Sequence, residues 1–308
     1  MAMASLVVQD FSYGFVRRFV DYLHGVMQRH LNPDAALFIS PQVDEAAYPE
    51  GLVFLIGENF RPFERRPGCT YAYLNLSVVS PLGSPFAASL AGHRQVFRKR
   101  RMLAGKLPLI DALLDYYPPQ TARLQRSLSL PVIGYDVAVL AKDRPPGDPD
   151  FDVCFVGGMT SRRRRVLDDV QSRGFRLSPS HGAPIEDLAA RSALCLNIHT
   201  ERSNHLEVPR FVAALSTGCP VVTETSYGVA GLGAGETVIE RPLAEVADAV
   251  ASLLGDNDRL LALQRRSLSW YTSDYLPRAE ARWQVVFDQV KALHASRTTT
   301  MRQAASGH

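Results

Sequence analysis

Three polar loops in the second half of the chain carry residues suited to binding a phosphorylated sugar. In the first loop, Gly157 and Gly158 follow an apolar run and precede Arg162 and Arg163. Small residues let a phosphate approach the backbone, while helix N–H groups and arginines attract an anion. We expect Ser161 to cap the helix that follows. Because neither a GxGxxG spacing nor a P-loop lysine is present, a plain turn before a solvated basic helix explains the pattern equally well.

The second loop, residues 197–210, is rich in polar residues and lies between an apolar run and an apolar helix pattern. His199 can donate a hydrogen bond to a phosphate or a sugar, and Glu207 can accept hydrogen bonds from hydroxyl groups. Arg210 can pair with a phosphate, and Asn197 opens the loop. Alternatively, Glu207 and Arg210, three residues apart, form only an ion pair at the start of the helix.

The third loop contains Glu224 and Ser226 and follows the apolar run 220–223. Its carboxylate, hydroxyl and backbone N–H groups can meet a sugar or a diphosphate, although a plain turn is equally compatible with the pattern. In open parallel sheets, ligands bind at the carboxyl ends of the strands. We therefore expect the three loops to form one ligand-binding site.

The elements that position these loops alternate between strands and helices over residues 151–277. This alternation predicts a doubly wound parallel sheet. The patterns predict strands at 151–156, 193–198 and 220–223, and helices at 162–173, 185–190, 208–215 and 243–254.

Residues 1–140 also read as an α/β domain, and the polar, proline-rich segment 141–150 as an interdomain linker. A last amphipathic helix is predicted at 278–295, followed by a polar tail at 296–308 that we expect to be disordered. In the first domain, the patterns predict strands at 35–39, 52–56, 71–79 and 131–133, and helices at 11–31, 98–117 and 121–127.

Composition excludes several classes of protein. No run approaches the roughly 20 apolar residues of a membrane helix, and no signal-peptide pattern opens the chain, so we expect a cytoplasmic protein. The four cysteines lack CxxC spacing and read as buried free thiols, and no histidine has metal-ligand spacing, so no metal site is expected. These cysteines are Cys69, Cys154, Cys195 and Cys219.

Three segments of the second half resemble the C-terminal domain of bacterial GT-B glycosyltransferases, closest to the group-1 and spore-maturation-protein-like sets. They are DVCFVGGMTSRRRRVLDDVQSRGF at 152–175, LCLNIH at 194–199 and LEVPRFVAALSTGCPVVTE at 206–224. Weaker similarities in the first half are LIGENF at 55–60, ALLDYYP at 112–118 and LPVIGYD at 130–136. The resemblance implies two Rossmann-like domains facing a cleft, an acceptor-side first domain, and a final helix that packs back toward that domain.

The resemblance also implies that the glycine turn faces the donor diphosphate and that Glu207 and Arg210 belong to the donor site. One departure concerns the glutamate that many group-1 enzymes place five residues before a helix-ending glycine to bind the donor ribose. Ala213 occupies that position before Gly218. Either Glu207 takes over this role or the donor is bound differently.

The function implied is transfer of a sugar from a nucleotide-sugar donor to an acceptor that the sequence does not identify, without a cofactor. A metal is not required if helix N-termini and arginines neutralise the leaving diphosphate. An inverting reaction needs a base, for which Glu58 and Asp136 are candidates, with His199 as a further catalytic candidate, whereas a retaining reaction needs no such base. The alternatives are a catalytically silent protein that binds a sugar nucleotide or a partner, and a less favoured sugar epimerase.

The basic segment 93–106 is the strongest candidate for a polyanion-binding surface. A net charge of +3 is too small to indicate nucleic-acid binding, and such runs are more often solvated helix faces. In a glycosyltransferase, the same segment can hold an anionic acceptor or contact a membrane surface.

Overall fold

The computed structural model describes residues 3–77, 79, 90–145, 148–180, 183–200, 206–226, 228–233 and 235–306. Within these, residues 3–77, 79, 93–136 and 279–306 form one compact unit and residues 137–278 belong to a second. Each unit contains a parallel β-sheet with helices, which confirms the expected α/β class and the two Rossmann-like units.

The first unit is built on a six-stranded parallel sheet with the strand order β2-β1-β3-β4-β5-β6. The chain leaves β1 for one side of the sheet and returns on the other side in β3, so the strand order reverses at these two strands. The strands are β1 (Met3–Gln9), β2 (Ala36–Ser40), β3 (Gly51–Ile56), β4 (Thr70–Asn75), β5 (Ala112–Asp115) and β6 (Val132–Gly134). Their helices are α1 (Asp10–His30), α2 (Leu90–Ala104) and α3 (Pro118–Ser127).

Burial explains why these segments are strands. Every residue of β3, β4 and β5 is buried, as expected for near-continuous apolar runs in a parallel sheet that is covered on both faces. Helix α1 covers the sheet with Phe19, Tyr22, Leu23 and Val26 among its buried residues. The apolar spacing that predicted α1 therefore describes its buried face.

The second unit has a four-stranded parallel sheet with the order β10-β9-β8-β7. A parallel bridge between Val153 and Leu177 extends the sheet beyond β7, so the strand order reverses at β7 and β8. The strands are β7 (Phe151–Cys154), β8 (Ser192–Asn197), β9 (Val221–Glu224) and β10 (Val238–Arg241). The helices are α4 (Ser161–Ser172), α5 (Ile185–Ala190), α6 (Val208–Leu215), α7 (Val246–Leu254) and α8 (Asn257–Trp270).

One predicted helix is wrong in its second half. Residues 98–117 were expected to be helical, but α2 ends at Ala104 and residues 112–115 form β5 between β4 and β6. Pairing with two neighbouring strands overrides the local pattern there. The sequence patterns also missed β1, β10 and α8.

The polar tail continues the last helix. After a π-helical turn at Tyr271–Tyr275, helix α9 (Leu276–Ser306) includes residues that were expected to be disordered. Arg297 forms an ion pair with Asp111, and the Thr298 hydroxyl donates to the His294 carbonyl at 3.0 Å. These contacts compensate for the low apolar content of the segment. Residues 307 and 308 lie outside the described chain.

The chain passes from the first unit to the second after Asp136, a few residues before the proline-rich segment 141–150. The Tyr275 and Tyr271 hydroxyls donate to the carbonyls of Val137 and Val139 at 2.7 and 2.6 Å. The extended segment that begins at Val137 is therefore fixed to the second unit.

Two expectations concern features of the whole chain. The four cysteines are buried and free, which confirms their interpretation as buried thiols. Among the helices that the structure describes, none is long and apolar enough to span a bilayer.

A substitution of Trp283 can test how α9 packs within the first unit. It is fully buried, contacts the Tyr135 ring with centroids 4.9 Å apart, and donates its indole N–H to the Asp136 carbonyl at 3.0 Å. We expect Trp283→Ala to lower the free energy of unfolding by about 3–5 kcal/mol, because it leaves a large cavity. Urea denaturation followed by circular dichroism measures this change.

Val285→Ala, on an exposed position of the same helix, is the matched control and is expected to change stability by less than about 0.5 kcal/mol. An equal loss in both variants would contradict a core role for Trp283.

Candidate functional site

A glycine turn joins β7 to α4 and forms the centre of the candidate site. Gly157 has a φ of +147°, and a Cβ there would lie 3.0 Å from Arg210 Nη2 and 3.1 Å from Arg163 Nη1. Two guanidinium groups therefore flank the backbone where only glycine fits. A Cβ on Gly158 would meet nothing within 4 Å, so the turn is open on that side.

Thr160, rather than Ser161, caps helix α4. The Thr160 hydroxyl accepts a hydrogen bond from the Arg163 backbone N–H at 3.3 Å. Thr160 has extended backbone angles, as N-cap residues do, whereas Ser161 is already helical. The first turn of α4 therefore begins directly after the open side of the glycine turn.

Arg163 fixes the glycine turn through hydrogen bonds from its buried side chain. Its side chain is only 3% exposed, its Nε donates to the Ile198 carbonyl at 2.9 Å, and its Nη1 donates to the Gly158 carbonyl at 2.8 Å. Burial, followed by the nearby positive charge of Arg210, lowers the pKa of Arg163 to about 10. This guanidinium links the turn after β7 to the end of β8.

Arg162 and Glu224 form an ion pair above the sheet edge. The other carboxylate oxygen of Glu224 accepts from the His199 backbone N–H at 2.6 Å. Ser226 follows, with its hydroxyl 2.8 Å from Nε2 of His199. Both oxygens of the buried Glu224 carboxylate are thus used within the protein.

Glu207 lies between three positively polarised groups. Its Oε2 is 2.9 Å from Nδ1 of His199, and its Oε1 is 3.6 Å from Arg163 and 3.7 Å from Arg210. Burial opposes the charge, but Arg210, the His199 hydrogen bond and Arg163 together lower the pKa of Glu207 to about 2. The carboxylate is therefore ionised, and 30% of its side chain still meets solvent.

Arg210 completes the cluster from the first turn of α6. It donates a hydrogen bond to the Asn197 side-chain carbonyl, and its guanidinium lies 5.7 Å from the centroid of the Phe155 ring. The Arg163 guanidinium lies 5.3 Å from the same ring. Arg162, Arg163 and Arg210 bring three guanidinium groups to this cluster, which can attract an anion.

The structure brings together all ten residues that the sequence nominated for donor binding. They lie at the carboxyl ends of β7, β8 and β9, in the loops that follow and in the first turns of α4 and α6. The strand order reverses at β7 and β8, and open α/β folds bind ligands beside such a point. Residues 201–205 and Tyr227 of these loops lie outside the described residues. The ten are Gly157, Gly158, Arg162, Arg163, Asn197, His199, Glu207, Arg210, Glu224 and Ser226.

Sequence reasoning missed three contributors to the cluster. Phe155 supports two guanidinium groups, Thr160 caps α4, and the Thr223 hydroxyl accepts from the Asn197 amide at 3.0 Å. An apolar residue at a strand end carries no signal of such a role. Of the three, only Thr160 carried a signal in the sequence, because threonine is a favoured N-cap residue.

In the first unit, Glu58 lies after β3, next to the point where the strand order reverses. Its carboxylate is 3.2 Å from Lys99 Nζ, and its carbonyl accepts from Lys106 Nζ at 2.6 Å. Glu58 also lines a cavity of about 400 Å³. Asp136 is half-buried at the end of the first unit, and its carbonyl accepts from Trp283.

No group of three or more His, Cys, Asp or Glu side chains suited to a metal ion occurs among the residues that the structure describes. In the candidate site, Arg162 pairs with Glu224, and Arg163 and Arg210 pair with Glu207.

The fold matches solved GT-B glycosyltransferases. A T4 phage β-glucosyltransferase mutant in complex with UDP-glucose matches with a TM-score of 0.54 at 11% identity, covering 94% of this chain and 99% of that one. A mutant of Staphylococcus aureus TarM, crystallised with UDP, matches with a TM-score of 0.55 at 10% identity over 77% of this chain. The pneumococcal O-GlcNAc transferase GtfA, with UDP and GlcNAc, gives 0.51 at 13% identity over 78% of this chain.

The match covers 55% of the TarM chain and 56% of the GtfA chain, so this protein spans little more than half of either. No protein-family description and no curated protein matches the sequence. The similarity is therefore one of fold, and the GT-B part of the sequence resemblance is confirmed at that level.

The low pKa of Glu207 predicts an acid-sensitive contribution to stability. The folded value of about 2 lies below the ordinary 4.5, so this contribution is fully present above pH 4.5 and is lost as the pH falls toward 2. We expect Glu207→Gln to destabilise the protein at about pH 6 and to differ less from the wild type at about pH 3. Urea denaturation at the two pH values measures the difference.

Glu245→Gln, which removes one exposed negative charge from the same unit, serves as the control. A destabilisation by Glu207→Gln that does not change with pH would contradict this assignment.

Proposed function

We propose that the protein is a glycosyltransferase that transfers a sugar from a nucleotide-sugar donor, with the donor diphosphate bound at the glycine turn of the second unit. One observation carries the proposal. The backbone at Gly158 is open beside the start of α4, Arg210 flanks Gly157, and both lie where the strand order of the sheet reverses. This arrangement suits a diphosphate, because the N–H groups at the start of a helix and a guanidinium both attract an anion.

The arginines divide into two roles in this proposal. Arg163 is buried and fixes the turn, whereas Arg162 and Arg210 are more exposed and would contact the phosphates. Their charges would stabilise the leaving nucleoside diphosphate as it forms. On this basis, we propose a reaction in which arginines and helix N–H groups, instead of a metal ion, stabilise the leaving diphosphate.

Glu207 would bind hydroxyl groups of the donor. Ala213, at the position where group-1 enzymes carry a glutamate, is buried in α6 and offers no polar group. The Glu207 carboxylate is charged, part-exposed and held by His199, so it has acceptor capacity left for a diol. His199 is then a positioning residue, because both of its ring nitrogens already contact protein atoms.

Uridine nucleotides are the first donors to test. The TarM and GtfA structures contain UDP, and the phage glucosyltransferase structure contains UDP-glucose. A cytoplasmic location and a place near the group-1 or spore-maturation-protein-like sets remain part of the proposal.

Acceptor activation is assigned to the first unit, with Glu58 as the base of an inverting reaction. Glu58 lines a cavity, and its carboxylate pairs with Lys99. Asp136 has no comparable cavity beside it among the described residues, and we rank it second.

Arg210→Ala tests the diphosphate site. Loss of a charge-assisted contact is expected to weaken UDP binding by about 1.5–3 kcal/mol, which isothermal titration calorimetry measures directly. Arg173→Ala is the control, because Arg173 pairs with Asp169 and Asp248 at the other end of α4. Identical affinities in the two variants would remove Arg210 from the site, and absence of UDP binding to the wild type would count against the function.

Glu58→Gln separates catalysis from donor binding. The amide cannot accept the acceptor's proton, so we expect transfer to fall by about 100-fold or more while affinity for the donor stays unchanged. Glu64→Gln, at an exposed position six residues further along, controls for the loss of a charge. Full activity of Glu58→Gln would show that the base lies elsewhere or that the reaction is retaining.

A catalytically silent sugar-nucleotide or partner-binding protein is the second candidate. Buried Ala213 favours it, because the usual ribose-binding carboxylate is missing. Donor binding without UDP release, in the presence of a broad acceptor panel, would favour this alternative.

A further inference from the structure

The first unit contains a groove of about 400 Å³ that the donor site does not use. Its walls are the segment 58–62 after β3 and one face of α2, where Arg98, Arg101 and Met102 follow the helical spacing. The groove starts next to β1 and β3, where the strand order reverses: Gln9, at the end of β1, accepts from the Asn59 backbone N–H at 3.1 Å. Its position therefore satisfies the same rule for ligand sites as the cluster in the second unit.

Three exposed arginines line this groove without partners. Within the described residues, no hydrogen bond or ion pair is formed by the guanidinium groups of Arg61, Arg98 and Arg101. The arginines of the donor cluster, in contrast, are all paired with carboxylates or carbonyls. Unpaired guanidinium groups that converge on one concave surface create a positive potential that favours an anionic ligand.

Lys106 adds a buried positive charge to the groove. It is 6% exposed, and its Nζ donates to the carbonyl of Glu58. Among the described residues that line the groove, Glu58 is the one acidic residue, and Lys99 already pairs with it. Four basic side chains thus face one carboxylate, while Phe60, Pro62 and Met102 supply apolar surface.

We propose that this groove binds a phosphate group of the acceptor, so that the sugar is transferred to a phosphorylated molecule. The assignment of the ligand as acceptor rests on the proposed function. Guanidinium groups bind phosphate oxygens in a bidentate manner, which favours a phosphate over a neutral glycan. Phe60 and Met102 would contact the organic part of the same molecule.

The volume of the groove is comparable with that of a small-molecule site. At about 400 Å³, it lies near the lower end of small-molecule sites and admits one phosphate with a group about as large as one sugar. A nucleic acid or a membrane surface would instead use an extended basic face. The observations therefore favour a discrete phosphate ester.

The test titrates phenyl phosphate and the uncharged phenyl glucoside into the full-length protein by calorimetry. Saturating UDP is present in one series, so that the donor site is occupied, and absent in a second series. We expect saturable binding of phenyl phosphate and none of phenyl glucoside, with about tenfold weaker binding in Arg101→Ala and a greater loss in Arg98→Ala/Arg101→Ala. Arg100→Ala, an exposed arginine of the same helix outside the groove, is expected to bind like the wild type, and so is Arg210→Ala in the series with saturating UDP.

Several outcomes would overturn the proposal. These are absence of phenyl phosphate binding, equal binding of phenyl glucoside, or an equal loss in Arg100→Ala. Binding confined to phosphatidylglycerol vesicles or to a DNA oligonucleotide would reassign the arginines to a surface contact. UDP affinity is measured separately, and the loss in Arg98→Ala/Arg101→Ala assigns phenyl phosphate to the groove in both series, so failure of the proposed function is distinguished from failure of this inference. Circular dichroism confirms that each variant is folded.

Discussion

The arrangement of the site in the second unit depends on the buried guanidinium group of Arg163. Taking this charge out of water is costly unless every donor finds a partner. The carbonyls of Gly158 and Ile198 and the carboxylate of Glu207 supply those partners. Because they belong to three separate segments, one residue fixes the glycine turn, the end of β8 and the start of α6. The exposed arginines can then meet a ligand without reorganising the backbone, which is the condition for electrostatic stabilisation of a leaving group.

Both sheets bring polar groups together through the same feature of their topology, a reversal of the strand order. In each unit, the segment that follows the first strand pairs with one side of that strand, and the next strand pairs with its other side. In the second unit, α4 and α5 make these two connections; in the first unit, α1 makes the first, and residues 41–50, which make the second, contain no helix. A point where the strand order reverses is where open α/β sheets bind ligands, at the carboxyl ends of the strands. Glycines allow close approach there: a Cβ on Gly57 would lie 2.6 Å from Cβ of Gln9, and a Cβ on Gly157 would lie 3.0 Å from Nη2 of Arg210. The sites therefore follow from strand order together with one small residue in each turn.

The sequence predicted the second unit better than the first. Helices α5 and α6 have the predicted bounds, because apolar spacing and flanking proline define them locally. Strand β5 was misread as helix, since its identity depends on pairing with β4 and β6. Spacing identified the loops of the site, but it did not show that Arg163 is buried while Arg162 meets Glu224, 62 residues away in the chain. Those partners are set by tertiary packing.

The buried cysteines give each unit an internal reporter of its own opening. Cys69 lies in the core of the first unit, while Cys154, Cys195 and Cys219 lie in the second. A thiol-specific reagent reaches such side chains only when the surrounding structure opens, so the labelling rate measures the free energy of local opening. The natural sequence thus allows the stabilities of the two units to be compared without an added probe. Ligand binding to one unit would slow labelling of its own thiols first.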